Sequence, residues 1–373
     1  MKNVLFVFGT RPEAIKMAPV IHELKEYPEL FNVTVCLTGQ HKEMLFQVLD
    51  FFDLSYDYNL DIMKANQSLN SITASVINEL KPVLEKTQPH VVLVHGDTTT
   101  TLAASLASFY FGAKIGHVEA GLRTYNKWSP FPEEMNRQLT DKLTDFHFAP
   151  TTTSAENLIQ EGTSSSSIFI TGNTVIDALL MGVKKLKMEG YSGDDILRGV
   201  NRDKKIILVT GHRRENHGDG FMSICDAILE ISRRKDVHVV YPVHLNPNVK
   251  DVVYERLSNQ PNISLIEPLD YKEFIWLMNK AHIILTDSGG VQEEAPSLGK
   301  PVLVMRDTTE RPEAVEAGTV ILVGTDRKKI VSELSMLLDN DSKYLSMSNK
   351  HNPYGDGKAS EKIIKELKIQ FGI

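Results

Sequence analysis

Acidic side chains recur in this 373-residue chain at points where apolar runs end. Asp97 and Glu119 each come directly after such a run, and Glu133 follows a Pro-Phe-Pro turn with a second acid, Glu134, beside it. Adjacent residues on a helix point about 100° apart, so we expect one acid of this pair to face a site and the other to be a surface residue. Three carboxylates brought together in this way suit general acid–base catalysis.

Basic side chains form a second set of candidates. Arg11 and Lys16 lie in the first turns of a predicted helix, and His212 and Arg213 follow the first apolar run of the second half. Cationic groups near a helix N-terminus suit a phosphate or a diphosphate. Taken alone, Arg11 and Lys16 are equally consistent with a solvated helix face. The first turn has neither the G-x-G-x-x-G nor the G-x-x-x-x-G-K-[ST] pattern, which argues against dinucleotide and P-loop sites.

A glycine-rich turn in the second half completes the candidate anion site. Ser288-Gly289-Gly290 follows an apolar run and leads into a predicted helix, so bare N–H groups and a hydroxyl are available to an anion. Glu294, one turn on, is placed to accept hydrogen bonds from two neighbouring hydroxyls such as those of a ribose, and Arg311 precedes another helix start. The acidic and basic sets together predict acid–base chemistry on a nucleotide-linked sugar.

Other chemistries lack the residues that they need. His95 and Asp97 lie close in sequence, but no further ligand occurs at metal-site spacing, so we expect no metal. The absence of a G-x-S-x-G pattern argues against Ser-His-Asp hydrolysis. The cysteines Cys36 and Cys225 lie among apolar residues, so we expect reduced thiols in the core.

Two parallel sheets must position these side chains. Helical patterns separate short apolar runs at 4–8, 33–37, 90–96, 113–118 and 146–149 in the first half, and at 205–211, 237–243, 263–266, 282–287, 301–305 and 319–324 in the second. Continuous apolar strands alternating with helices predict two Rossmann-like α/β domains, with ligands at the carboxyl ends of the strands. We expect the domain joint near Gly172, and the C-terminal helical pattern could cover either domain.

The overall charge narrows the choice of partners. A net charge of −7 argues against nucleic acid or an anionic membrane surface as the main partner. No apolar stretch reaches the roughly 18 residues of a membrane span, and the N-terminal run is too short for a signal peptide. We therefore expect a cytoplasmic protein.

The motifs resemble those of the non-hydrolysing UDP-N-acetylglucosamine 2-epimerases over nearly the whole chain. They include FGTRPEAIKMAPV, VHGDTTTTLAASLA, GHVEAGLRT, PFPEEMNRQ, TGNTVIDAL, TGHRREN, YPVHLNPNV, LTDSGGVQEEAPSLGKPVLVMRDTTERPEA and NPYGDGKAS. The resemblance implies the GT-B fold, with two Rossmann-like domains, a cleft between them, and a C-terminal helix that returns to the N-terminal domain. The expected domains are 1–171 with 354–373, and 172–353.

The resemblance also implies a reaction. Family members interconvert UDP-N-acetylglucosamine and UDP-N-acetylmannosamine by eliminating UDP across C1–C2, forming 2-acetamidoglucal and adding UDP back. Neither NAD nor a metal cofactor is needed. The product would supply cell-surface polysaccharide synthesis, and a homodimer is expected because family members commonly form one.

Residue roles carry over by motif. The acid–base set would be Asp97, Glu119 and Glu133 with His212, and the residue that removes the C2 proton is left open. Besides Asp97 and Glu119, the residues expected to bind the UDP-sugar are Arg11, Lys16, His212, Phe274 near the uracil, Ser288, Gly289, Gly290, Glu294 and Arg311.

Many bacterial members also bind UDP-N-acetylglucosamine as an allosteric activator. The residues that match this second site are Gln40, His41, Arg213 and His244. Two positions depart from the family pattern, because Glu43 stands where Gln is common and Asn66 where Arg is common. The alternatives to an epimerase are a GT-B glycosyltransferase that uses UDP-sugars and a non-catalytic UDP-sugar sensor.

Overall fold

The computed structural model describes residues 1–39, 42–63, 67–198, 200–201 and 203–373. These residues divide into two compact units, of which the first comprises 1–181 with 354–373 and the second comprises 182–353. Each unit is built around one parallel β-sheet. Among the described residues, no helix combines the length and the apolar character that a bilayer crossing needs.

The first unit contains a seven-stranded sheet in the order β3-β2-β1-β4-β5-β6-β7. Its strands are β1 (Lys2–Phe8), β2 (Phe31–Leu37), β3 (Tyr58–Asn59), β4 (Val91–His95), β5 (Lys114–Val118), β6 (Phe146–Ala149) and β7 (Ile168–Ile170). Its helices are α1 (Arg11–Lys25), α2 (Lys42–Phe51), α3 (Leu69–Thr87), α4 (Thr99–Phe111), α5 (Glu133–Leu143), α6 (Thr152–Gln160) and the start of α7 (Thr174–Met188).

The second unit contains a six-stranded sheet in the order β10-β9-β8-β11-β12-β13. Its strands are β8 (Lys205–Thr210), β9 (Val237–Pro242), β10 (Ile263–Ile266), β11 (Ile283–Thr286), β12 (Val302–Val304) and β13 (Val320–Leu322). Its helices are α8 (Asp219–Ile231), α9 (Pro247–Leu257), α10 (Tyr271–Lys280), α11 (Gly289–Glu294), α12 (Pro312–Ala317), α13 (Arg327–Asp339) and α14 (Asp341–Ser348). The last helix of the chain, α15 (Ala359–Phe371), packs against α1 in the first unit.

The strands follow the apolar runs because both faces of each sheet are covered. Every residue of β4 is buried, which requires apolar side chains on both faces. All six apolar runs of the second half form strands. The pattern of apolar runs does not predict β3 and β7, which are short strands at the two edges of the first sheet and carry no buried residue.

Both cysteines lie in the core, as the sequence predicts. Cys36 and Cys225 are completely buried and form no disulfide. Burial raises the pKa of each thiol to about 12, so both stay protonated at neutral pH.

Candidate active site

Glu119 lies at the centre of a buried polar cluster in the first unit. It follows β5 directly and adopts a left-handed φ of +67°, with its backbone N–H donating to the Phe148 carbonyl at 3.1 Å. The Lys16 ammonium forms an ion pair with the Glu119 carboxylate, and Asn173 Nδ2 donates to the same carboxylate at 3.0 Å. These donors stabilise the ionised carboxylate in a site that is mostly shielded from water.

His95 lies beside this carboxylate and is neutral. Its Nε2 is 3.8 Å from Glu119 Oε2. Burial lowers the pKa of His95 to about 3, even though Glu119 raises it, and Lys16 lowers it further. The buried Nε2 has no hydrogen-bond partner among the described residues. A neutral imidazole nitrogen and an ion-paired carboxylate therefore lie side by side at the ends of β4 and β5.

Asp97 lies two residues after β4 and is oriented by α5. Arg137 donates to Asp97 Oδ2 from Nε at 3.0 Å and from its terminal nitrogen at 2.7 Å. Asn136 Nδ2 donates to the Asp97 carbonyl at 2.9 Å. Thr98 caps α4 by accepting from the Thr101 N–H. Asp97 remains partly exposed, so its carboxylate is both oriented and accessible.

The structure decides between the adjacent acids that begin α5. Glu133 is partly exposed, whereas Glu134 is fully buried. Glu134 accepts from the backbone N–H groups of Thr124 and Tyr125 at 2.9 and 3.0 Å. The prediction of a surface role for the second acid of this pair was wrong, because its carboxylate ties the preceding loop to α5.

A second buried network supports the turn after β4. His117 Nδ1 forms a hydrogen bond with Asp141 Oδ1 at 2.6 Å, and its Nε2 contacts the Gly96 carbonyl at 2.7 Å. Arg123 donates to the other oxygen of Asp141 at 2.6 Å. Burial would raise the pKa of Asp141, but His117 and Arg123 outweigh burial and lower it to about 2. These charged groups hold the loop that carries Asp97.

Glu13 is a site-supporting residue that the sequence reading missed. Its Oε2 accepts from the N–H groups of Gly9 and Thr10 at 2.9 and 2.7 Å, and its Oε1 accepts from the Thr98 hydroxyl at 2.6 Å. It therefore connects the first turn of α1 to the first turn of α4. Burial raises its pKa, although these hydrogen bonds oppose the shift. Thr10 and Glu13 have the spacing of a capping box, the signal that could have identified it.

The two basic residues at the start of α1, Arg11 and Lys16, have different surroundings in the structure. Arg11 begins α1 and is partly exposed, while Lys16 pairs with Glu119. The sequence predicts both as diphosphate ligands. In this structure Lys16 contacts the acid–base cluster, and Arg11 lies partly exposed at the N-terminus of α1.

Asp287 fixes the backbone of the segment that follows β8 and contains His212 and Arg213, which we call the histidine turn. Asp287 is fully buried, and its Oδ2 accepts from the backbone N–H groups of His212 and Arg213, both at 2.8 Å. The imidazole of His212 stacks on that of His244 with centroids 5.1 Å apart. Burial lowers the pKa of His212, Asp287 opposes this shift, and His244 and Arg213 reinforce it. A neutral, half-exposed His212 is thus held at the end of β8.

The glycine turn lies between an arginine and a glutamate. A Cβ on Gly289 would be 3.7 Å from a terminal nitrogen of Arg311, and a Cβ on Gly290 would be 3.4 Å from Glu294 Oε1 and 4.0 Å from Ser288 Oγ. Arg311 also forms an ion pair with Glu293. The structure therefore brings together the residues that the sequence predicts around this turn. The helix that the turn begins, α11, has only six residues.

Phe274 and the candidate activator residues have defined places in the second unit. Phe274 is partly buried in the first turn of α10, shortly after the carboxyl end of β10. Arg213 follows His212 directly and His244 stacks on it, so these two residues adjoin the histidine turn. The remaining candidates, Gln40 and His41, and the variant position Asn66 lie outside the described residues, as does the side chain of Glu43.

The described residues contain no group of three or more His, Cys, Asp or Glu side chains arranged to hold a metal ion. The groups present at the two sites are carboxylates, imidazoles, amides, hydroxyls and cationic side chains. In the first unit it is acid–base in character. In the second unit it suits an anion, because Arg311 and the hydroxyl of Ser288 flank bare glycine N–H groups.

Two Rossmann-like units with parallel sheets define a two-domain α/β protein of the GT-B type, which confirms the fold class predicted from the sequence. The family model described as UDP-N-acetylglucosamine 2-epimerase matches residues 22–368. The chain belongs to the UDP-N-acetylglucosamine 2-epimerase family, and the prediction that it is an isomerase is confirmed.

Individual relatives are similar along their whole length. The UDP-N-acetylglucosamine 2-epimerase of Escherichia coli (strain K12) is 57% identical over 373 residues, covering 98% of each chain. That of Campylobacter jejuni is 54% identical, covering 98% of this chain and 97% of its own. The crystal structure of the Neisseria meningitidis UDP-GlcNAc 2-epimerase bound to UDP-GlcNAc is 53% identical, with a TM-score of 0.86 over 98% of this chain and 99% of that one.

Proposed function

We propose that this chain interconverts UDP-N-acetylglucosamine and UDP-N-acetylmannosamine without hydrolysing them. The observation that carries the proposal is the full-length similarity to named UDP-N-acetylglucosamine 2-epimerases, combined with three acids of the first unit. Asp97 and Glu119 follow the ends of β4 and β5, and Glu133 begins α5. The similarity supports the substrate, and the acids supply groups that can move a proton at carbon.

The mechanism in this proposal is an elimination followed by an addition. The proton at sugar C2 is not acidic, so its removal is coupled to departure of UDP from C1. The C2–H bonding electrons form the C1–C2 double bond of 2-acetamidoglucal, and the C1–O bonding electrons leave with UDP. Protonation of C2 on the opposite face and return of UDP to C1 complete the exchange.

The first unit supplies the acid–base groups in this scheme. Lys16 and Asn173 donate to the Glu119 carboxylate, and Arg137 donates to the Asp97 carboxylate, so both groups are held in place as candidate proton acceptors. Glu133 is partly exposed at the start of α5 and would complete the set. The proposal assigns proton transfer to these three acids together and does not divide the two directions among them.

The second unit supplies the UDP-binding groups. Arg311, Ser288 and the Gly289-Gly290 N–H groups would hold the diphosphate, and His212 would contact it from the end of β8. The UDP-binding roles of Arg11 and Lys16 stay predictions. Glu294 would accept from the ribose hydroxyls, and Phe274 would lie near the uracil. Because UDP is both leaving group and nucleophile, these contacts would act in both steps.

The test is incubation of the pure protein with UDP-N-acetylglucosamine in D2O. The expected result is UDP-N-acetylmannosamine and deuterium at C2 in both sugars, with UDP remaining substoichiometric. E119Q should bind UDP and fail to exchange the C2 proton. Absence of both products would refute the proposal. Release of UDP only when an acceptor is added would indicate a glycosyltransferase, and binding without turnover would indicate a sensor.

Activation by UDP-N-acetylglucosamine belongs to the same proposal. Arg213 and His244 adjoin His212, so a second UDP-sugar bound there would act directly on the histidine turn. Starting from UDP-N-acetylmannosamine alone, the reaction should show a lag that added UDP-N-acetylglucosamine removes. A linear time course from the first turnover would contradict activation. The homodimer, the cytoplasmic location and the supply of surface polysaccharides stay predictions.

A further inference from the structure

The second unit contains a cavity of about 510 Å³ that has no part in the proposed reaction. This size lies within the usual range for small-molecule sites. We call it the lysine cavity, and it is lined by Tyr191, Ser192, Leu197, Lys204, Lys205, Ile206, Trp276, Lys280, Ala281, His282 and Lys300.

The lysine cavity opens at the amino edge of the second sheet. Lys205 is the first residue of β8, His282 precedes β11, and Lys300 lies two residues before β12. The histidine and glycine turns follow the carboxyl ends of β8 and β11 instead. Six residues of extended strand span roughly 20 Å, so the lysine cavity is a separate site from the one that holds His212.

Four lysines line this cavity, namely Lys204, Lys205, Lys280 and Lys300. None of the described residues that line it is Asp or Glu. Lys204 donates to the Asn262 side-chain oxygen at 2.6 Å, and Lys205 donates to the Leu338 carbonyl at 2.8 Å. Lys280 lies 5.9 Å from the centroid of the Trp276 ring. Lys205 also acts on the carboxylates of Asp236 and Asp339, which pair with Arg234. Among the described residues, Lys204, Lys280 and Lys300 form no ion pair, so most of the cavity's positive charge has no acidic partner.

The pKa values of Lys300 and His282 are lowered in part by the neighbouring lysines. Burial lowers the pKa of Lys300, and the neighbouring Lys280 lowers it further. Burial lowers the pKa of His282 to about 4, Lys205 and Lys300 add to the shift, and Asp341 opposes it weakly. His282 stacks on Tyr344 with centroids 4.2 Å apart and is neutral at pH 7. The lysines themselves therefore supply the cavity's charge.

We propose that the lysine cavity binds a small anion that carries a diphosphate group. Four clustered ammonium groups repel one another, and an anion with two linked phosphates relieves this repulsion more completely than a monovalent anion does. Lysine is a common phosphate ligand because its point charge and three donors adapt to phosphate oxygens. The cavity is enclosed by one unit of a chain with a net charge of −7, which favours a small anion over a polyanionic macromolecule.

The surroundings leave room for an organic group attached to the diphosphate. A second cavity of about 380 Å³ shares Tyr191, Trp276 and Lys280 with the first. The diphosphate could therefore belong to inorganic pyrophosphate or to a nucleoside diphosphate whose base extends past Tyr191. Pyrophosphate and ADP are the two probes that distinguish these sources.

Binding can be followed through Trp276, one of two tryptophans in the chain. The other, Trp128, is exposed in a loop of the first unit, so W128F leaves a single fluorophore beside the lysine cavity. Saturating UDP is kept in the buffer so that the proposed substrate site is occupied. Titration with pyrophosphate is expected to change the fluorescence saturably, with an affinity that falls steeply as salt rises.

Lysine variants locate the binding. K280Q and K300Q in the W128F background should each weaken pyrophosphate binding at least tenfold, as measured both by fluorescence and by calorimetry. K250Q is the matched control, because Lys250 lies over the Tyr254 ring elsewhere in the second unit and should leave the affinity unchanged. Tighter binding of ADP than of pyrophosphate would identify a nucleotide, and equal or weaker binding would identify the free diphosphate.

Two results would overturn the proposal. One is the absence of a saturable signal and of measurable heat at millimolar pyrophosphate. The other is an equal loss of affinity in K250Q, K280Q and K300Q, since that pattern indicates nonspecific charge attraction. Thermal unfolding of each variant separates misfolding from loss of the site, and Lys280 is exposed, so K280Q should fold normally.

Discussion

Glu134→Gln is expected to destabilise the first unit although it replaces one oxygen by an NH2 group. The Glu134 carboxylate accepts from the N–H groups of Thr124 and Tyr125, from Arg137 at 3.1 Å and from Gln138 at 2.8 Å. The first three donors cannot become acceptors. A glutamine amide nitrogen at this position must therefore face at least one N–H group, whichever way the amide is turned.

The magnitude follows from the number of donors that are affected. A buried N–H group without an acceptor costs about 1–3 kcal/mol, and loss of a hydrogen bond to a charged partner, here Arg137, costs about 1.5–3 kcal/mol. The free energy of unfolding should thus fall by roughly 2.5–6 kcal/mol. The loop should also loosen, because Tyr125 has a left-handed φ of +58° that these hydrogen bonds maintain.

The direction in which the stabilisation by Glu134 changes with pH follows from the shift in its pKa. Burial alone would raise the pKa of Glu134, but the Thr124 N–H, Gln138, the Tyr125 N–H and Arg137 outweigh it, so the pKa is lowered from 4.5. A carboxylate with a lowered pKa in the folded state stabilises the protein above the pKa of the unfolded state. That stability is lost as pH falls through the lowered value. The difference between wild type and E134Q should therefore be full at pH 7 and shrink as pH falls below 4.5.

The assay is urea unfolding followed by circular dichroism at neutral and acidic pH. Glu133→Gln is the matched control, since Glu133 is adjacent and partly exposed, and its free energy of unfolding should change by less than about 0.5 kcal/mol. E133Q should instead lose epimerase activity if Glu133 belongs to the acid–base set. A stable E134Q together with a destabilised E133Q would refute the reasoning.

Three other variants test the site. E119Q should lower the turnover number by about 10²–10⁴-fold while UDP affinity changes little, as measured by C2 exchange and calorimetry; wild-type turnover would contradict its role. D287N can keep one oxygen toward the His212 and Arg213 N–H groups but removes the negative charge that strengthens both hydrogen bonds, so UDP affinity should fall about tenfold or more; unchanged affinity would show that the turn holds without this charge. Glu13→Gln should be milder than Glu13→Ala in thermal unfolding, because the Thr98 hydroxyl can reverse its hydrogen bond while the Gly9 and Thr10 N–H groups cannot. Since burial raises the pKa of Glu13, its relative stabilisation over E13Q should be greatest at low pH and should decline as pH rises.

Local sequence patterns were sufficient to predict most strands of the two sheets and several candidate site residues. Runs such as 90–96 and 205–211 are apolar because helices cover both faces of a parallel sheet, and this requirement is readable without knowing any partner. Asp97 and Glu119 were identifiable for the same reason, since a charged residue directly after a buried strand lies at the strand's carboxyl end. The edge strands β3 and β7 were not readable, because few neighbours constrain their side chains.

The tertiary structure decided the roles that depend on residues distant in the chain. Sequence spacing alone could not predict which of Glu133 and Glu134 is buried. Glu134 is the buried acid because it accepts from the N–H groups of Thr124 and Tyr125, which lie in the loop before α5. The spacing of Thr10 and Glu13 is that of a local capping box, yet Glu13 also accepts from the Thr98 hydroxyl at the start of α4.

The lysine cavity is a clear example of a feature that the tertiary structure shows and the sequence does not. Lys204, Lys280 and Lys300 are separated by long stretches of sequence and share no motif. The parallel sheet brings the amino ends of β8, β11 and β12 to one edge, and the lysines meet there. The sequence by itself determined which segments are buried and where charge follows a strand. Only the tertiary structure decided which charges are neighbours, because electrostatic and hydrogen-bond energies depend on distances in space rather than on positions along the chain.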